Sequence, residues 1–334
     1  MSRAPTPRLA RAVASLGALF VSACGMGFDP ASFVERPRLV GAEVVVDGAA
    51  GRATPLPGDA VSLVPWVLQP AESSPVRASV LVCAANDVRR GAAGCAGAPL
   101  ALVPAGPAAD TIPPVPFVVP TAETLGATGQ LLVVFASCDR GALPSLDPAT
   151  LLPSCDDPAA RAELSSLNLP LAFSPELANR HPSLADETFT IDTRAWEPPP
   201  ETTPPLGCAR DAETTALPLV RVPADAAPPD ADEPYAITLS FTTSDDDRES
   251  YGPASSPLRE SLQLSHYVTR GRMARSFSAV DATSEVSQPI TIDWNPPAVG
   301  EIAAEGELVR FTWIARDLRG GFARADRAIC LSRD

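Results

Sequence analysis

The sequence of 334 residues contains no lysine, because all 26 of its basic residues are arginine. That absence excludes Schiff-base chemistry, Ser-x-x-Lys nucleophile pairs and P-loop phosphate binding. Histidine is nearly missing, with 2 copies, and these form neither a His-x-x-x-His nor a His-x-His metal pair. Aromatics make up only 5%, fewer than a sugar cleft usually presents. Positive charge is scarce against 40 acidic residues, and the formal balance of −14 argues against a nucleic-acid partner. No Gly-x-Ser-x-Gly elbow is present, and nothing implies a cofactor. What is abundant is apolar surface at 45% and proline at 38 copies, in a chain long enough for about two domains.

The N-terminus carries the clearest signal. Arg3, Arg8 and Arg11 precede an apolar run, residues 12–21 (AVASLGALFV), which falls short of the ~20 residues that span a bilayer. Val21-Ser22-Ala23 follow, and then Cys24. A basic start, a short apolar run and small residues make an export signal. The Val-Ser-Ala-Cys end resembles the lipobox of bacterial lipoproteins, with Val21 where that family most often has Leu. The resemblance implies that residues 1–23 are cleaved and that Cys24 becomes a lipidated N-terminus, with palmitate among its acyl chains. Gly25 in place of Asp implies sorting to the outer membrane, at its cell-surface or periplasmic face. Ordinary signal-peptidase cleavage after Ala23 is the competing reading.

Loss of residues 1–23 leaves 23 Arg against 40 acids, a net charge of −17. Six thiols remain besides Cys24: Cys83, Cys95, Cys138, Cys155, Cys208 and Cys330. An even number in an exported chain reads as three disulfides, for which fifteen connectivities exist. The preferred set is Cys83–Cys95, Cys138–Cys155 and Cys208–Cys330, two short closures and one pair within a single candidate domain. No Cys-x-x-Cys spacing supports zinc instead.

Residues 24–35 read as a lipidated tether. Segments 42–47, 59–68, 76–83 and 129–137 are strand-length runs rich in Val and Leu and bounded by Gly, Pro or Asp. The run 131–136 (LLVVFA) is apolar on both faces, which fits a strand buried mid-layer. Pro65 predicts an edge or bulge, and Asp157-Pro158 ahead of AARAELSSL predicts a short helix over 158–166. A short repeat, Pro37-Arg38-Leu39 with Val44-x-Val46-Asp47 and Pro182-Ser183-Leu184 with Phe189-x-Ile191-Asp192, divides the chain into domains at 36–174 and 175–334.

Period-two alternation is strongest in the second half. It runs through 236–241, 262–268, 290–294 and 309–316, where Val309, Phe311, Trp313 and Ala315 share one face while Arg310, Thr312, Ile314 and Arg316 share the other. Asp317-Leu318-Arg319-Gly320-Gly321 makes a turn, and 322–331 returns. This final hairpin, and the Asn179-Arg180-His181-Pro182 lead-in, resemble strands of Ig-like and PKD-like modules. Together with RESLQLSHYVTRG at 259–271, the chain is similar to lipoproteins of myxobacterial type. The resemblance implies an all-β protein of two Ig-like antiparallel β-sandwich domains and brings no activity with it.

Candidate chemistry is thin. His266 sits on the apolar face of a predicted strand and reads as a core residue, while His181 reads as a solvated loop residue beside Pro182. Asp245, Asp246 and Asp247, in a turn after the 236–241 strand, are candidate Ca²⁺ ligands, although no EF-hand or RTX spacing supports them. Trp294 and Trp313 read as core, and Trp196 as cover for a sandwich edge. The expected role is therefore a non-catalytic structural, adhesive or binding module. Its partners are the membrane, through the lipid, and a protein or cell-surface ligand. A carboxylate-based hydrolase, needing two acids in a cleft, and a Ca²⁺-stiffened module are the alternatives.

Overall fold

The computed structural model describes residues 32–70, 72, 74–85, 94–125, 129–184, 188–199, 208, 217–243, 248–252, 255–283 and 289–334. These residues form a nearly all-β protein with two hydrophobic cores.

The first core lies between strands β1 (Arg38–Val46), β2 (Ala60–Leu68) and β5 (Val115–Val118) on one side and β4 (Ala101–Val103), β3 (Arg77–Ala84), β6 (Gln130–Cys138) and β9 (Ala162–Pro170) on the other. One helical turn, α1 (Ala122–Leu125), connects β5 to β6. Alternation sends Val44, Leu63, Val80, Leu131, Val133 and Phe135 into this core. The opposite face of β3 and β6 (Leu81, Cys83, Leu132, Val134) is also buried. There it meets Cys95 and, from the ribbon of β7 (Pro144–Leu146) and β8 (Pro153–Cys155) and its connection, Leu146 and Leu151. That second layer is why 131–136 is apolar on both faces.

Pro65 lies in β2, the middle strand of its sheet, but pairing with β5 stops at Leu63↔Val115, so that flank of β2 is free where proline has no N–H to offer. β1, paired on the other flank, is bulged between Leu39 and Gly41. The helix predicted over 158–166 is corrected: Asp157 caps a single turn, its carboxylate accepting from Ala159 N at 2.8 Å, and the chain then extends as β9. Pairing of β9 along β6, from Gln130↔Pro170 to Cys138↔Ala162, outweighs a local N-terminal helix signal. Ser165 Oγ also donates to Leu39 O at 3.1 Å, tying the edges of β9 and β1.

The second core lies between two five-stranded sheets, an Ig-like sandwich. One sheet runs β11 (Arg194–Ala195), β10 (Thr188–Ile191), β13 (Ile237–Thr242), β19 (Ile290–Asn295), β17 (Arg272–Met273). The other runs β12 (Leu219–Val222), β21 (Phe322–Arg333), β20 (Glu307–Arg316), β16 (Leu262–Val268), β18 (Phe277–Val280). A ribbon of β14 (Ser250–Tyr251) and β15 (Leu258–Arg259) precedes β16. Among the described ladders every pair is antiparallel except β12–β21. The few aromatics of the chain concentrate here. Trp196 stands edge-on to Phe311 at 5.0 Å and to Trp313 at 5.5 Å, and Trp294 stands edge-on to Phe311 at 5.1 Å. Such pairs add about 0.5–1.5 kcal/mol each beyond area burial. Trp196 is therefore core and not edge cover, with its Nε1 donating to Ala328 O at 3.0 Å.

The cores meet across the outward face of β20 and β21, where Ile314 and Phe322 pack on Trp66 of β2. Residues ahead of β1 join the second sheet: Val34 N donates to Val268 O, and Val268 N to Ser32 O, each at 2.9 Å.

Candidate functional site

Three disulfides close the pairs Cys83–Cys95, Cys138–Cys155 and Cys208–Cys330, with Cα separations of 5.5, 5.9 and 5.5 Å. They are the two short closures and the one pair within a single candidate domain expected from the sequence. Cys208–Cys330 ties the segment ahead of β12 to β21 in the same sheet, so it is not an inter-sheet bridge of antibody type. Stable bridges place the protein in an oxidising compartment, extracellular or periplasmic. Among the described residues no helix is long and apolar enough to cross a membrane. Cys24 and the candidate Ca²⁺ ligands Asp245, Asp246 and Asp247 lie outside the described residues. Within them no group of three or more His, Cys, Asp or Glu is placed to hold a metal ion.

His266 is fully buried, one ring nitrogen facing Arg275 O at 3.2 Å and its ring edge-on to Phe241. Burial holds its pKa down to about 4, so it is neutral and walled off from any substrate. His181 lies in a loop, as expected, but its ring is held by the protein and not by solvent. Its Nδ1 accepts from Phe322 N at 3.1 Å, which leaves Nε2–H to donate to Val44 O at 2.8 Å. The ring therefore spans from β1 to the start of β21.

His181 borders an extended polar cluster built around the turn 317–321. The sharp β20–β21 turn puts Leu318 and Gly320 at positive φ (63° and 105°), and a Cβ on Gly320 would meet Pro170 Cγ at 2.6 Å. A Cβ on Gly321 would run into the Asp317 carboxylate, so both glycines are dictated by close approach. Asp317 closes the turn on itself: Oδ1 accepts from Arg319 N and from Gly321 N, each at 2.8 Å. Its Oδ2 accepts from Asn179 Nδ2 at 2.7 Å. Asn179 is held in turn by Thr54, whose Oγ1 accepts from Asn179 N at 2.6 Å, and by Ala53 N, which donates to Asn179 O at 2.8 Å.

On the other side of the turn Arg319 spreads over the Tyr251 ring, with Cζ 4.3 Å from its centroid, and donates to Glu260 Oε1 at 2.7 Å. Glu260 Oε2 accepts from Glu249 N at 3.1 Å, and the Glu260 side chain is 1% exposed. Burial pushes its pKa up to about 7, and the Asp317 charge adds to the rise while Glu249 N–H and Arg319 oppose it.

A raised carboxyl beside a second acid is the arrangement a hydrolase would need, but the surroundings do not serve that chemistry. Both Glu260 oxygens are bonded within the protein. The neighbouring cavity of about 430 Å³ is lined by Leu318, Gly320, Gly321 and Arg316 without Glu260 or Asp317. The cluster joins loop 53–54, segment 179–181, the β20–β21 turn and the β14–β15 ribbon, which is the work of a fastener. Its residues were only partly visible beforehand: the Asp-Leu-Arg-Gly-Gly turn and the Asn-Arg-His-Pro lead-in stood out, whereas nothing marked Glu260 among so many acids.

No protein-family model matches the chain, and no curated protein sequence matches it. One solved structure with which it aligns is alpha-2-macroglobulin of E. coli in its native conformation, at 11% identity and a TM-score of 0.19. The alignment covers 92% of this chain and 16% of that one, so the chain spans about a sixth of that protein's length. Fold and bridges together define an extracytoplasmic, disulfide-stapled β-sandwich protein.

Proposed function

We propose that the chain is a lipoprotein, held to the outer membrane by acyl chains on Cys24, whose two sandwiches form a rigid, non-catalytic binding module. The observation that carries this reading is the pairing of an export signal ending in Val21-Ser22-Ala23-Cys24 with a body closed by three disulfides. A binding role, as against an enzyme, is supported by the closed state of Glu260 and of His266, two described side chains whose pKa values burial moves far from their ordinary ones.

Replacing Cys24 with Ala and fractionating cells tests the anchor. The wild type partitions with membranes and takes up labelled palmitate, and Cys24→Ala appears unlabelled in the soluble exported fraction. Palmitate uptake by Cys24→Ala contradicts the proposal.

A further inference from the structure

A second groove lies where the outward face of the second sandwich meets the first. Its floor is β16, β20 and β21, with Tyr267, Thr312 and Asp326 on one rung and Arg310 beside Ala328 on the next. Its wall is the end of β2, Val67 and Leu68, and its volume is about 430 Å³, the size of a small-molecule site.

The charges in this groove are unevenly satisfied. Asp326 is fully engaged: Oδ1 accepts from Thr312 Oγ1 at 2.6 Å, and Oδ2 accepts from Arg324 Nε at 2.8 Å. Arg310 is different. Its backbone is held by Thr269, but its guanidinium makes no hydrogen bond or ion pair with any described residue. The side chain is half-buried, and desolvation lowers its pKa, with only the Asp326 charge to oppose the effect. Acids outnumber arginines 40 to 26 in this chain, yet no described acid is bonded to this one. An arginine partly withdrawn from water without a bonded partner costs stability, and its fork of donors is matched to carboxylate and phosphate.

We infer that the groove binds a small anion with an apolar body, its carboxylate or phosphate head on Arg310 and its apolar part against Val67 and Leu68. This deepens the reading of the chain as a binding module and is independent of the anchor at Cys24.

The test is ligand-observed saturation-transfer NMR on the mature full-length chain in dodecyl maltoside. The probes are benzoate, phenyl phosphate and the uncharged benzamide. Benzoate or phenyl phosphate is expected to receive saturation, the stronger of the two identifying the head group, and benzamide to receive none. In Arg310→Met the signal falls to baseline while the melting temperature stays equal or rises, because the variant removes a half-buried charge that no described residue bonds. A melting temperature lowered by Arg310→Met makes the residue structural and overturns the inference. Silence from both anions, benzamide as strong as benzoate, or a signal unchanged in Arg310→Met overturns it as well. None of these outcomes bears on where Cys24→Ala fractionates, so the two readings fail separately.

Discussion

Asn179 Nδ2 and Asp317 Oδ2 stand 2.7 Å apart although 138 residues separate them in sequence. This bond fastens the segment between the two sandwiches to the last turn of the chain. Asp317 is buried, and its carboxylate serves three donors, Asn179 Nδ2, Arg319 N and Gly321 N.

Asp317→Ala therefore leaves buried donors unpaired and loosens the turn that Gly320 and Gly321 shape. The expected cost is about 2–4 kcal/mol in urea unfolding followed by tryptophan fluorescence. A loss within ~0.5 kcal/mol would show that the turn is held by packing alone.

Glu260 makes stability pH-dependent with a defined sign. Its ordinary value of 4.5 is raised to about 7 in the folded protein, so the folded state holds its proton more tightly than the unfolded chain. Its contribution favours folding fully below the unfolded value and is lost as pH rises through the folded one. Glu260→Gln removes this dependence. The wild type, measured relative to Glu260→Gln, should lose stability between about pH 4.5 and 7 by an amount on the order of 3 kcal/mol. A difference between the two that stays constant over that range contradicts the assignment.

The long bridge should matter more than the short ones. Cys208–Cys330 closes a separation of 122 residues, worth on the order of 4–5 kcal/mol in the chain-entropy model. Cys138–Cys155 closes 17, worth about 3 kcal/mol. The double variant Cys208→Ser/Cys330→Ser should therefore melt lower than Cys138→Ser/Cys155→Ser. The reverse order would show that unfolded-chain entropy does not govern these bridges.

Strands were legible in the sequence because each buries one face, and a period of two survives even in an unusual composition. Leu262, Leu264, His266 and Val268 enter the core just as their spacing requires. The stretch 162–170 is hard to read locally because Asp157-Pro158 is a genuine turn signal, while the strand that follows is paired with β6, more than twenty residues upstream, and tied to β1 at Leu39. The junction was hidden for the same reason. Thr54, Asn179, Glu260 and Asp317 come from four separate segments, and no local pattern distinguishes a buried acid from the many exposed ones. Arg310 was placed correctly on the polar face of its strand, but that face is water-facing only until the first sandwich covers part of it.

Mass spectrometry of the mature protein purified from membranes tests the lipid on Cys24 directly. The predicted result is an N-terminal peptide beginning at Cys24 and heavier than its sequence by the mass of its acyl groups. An unmodified peptide beginning at Cys24, or a chain that retains residues 1–23, contradicts it.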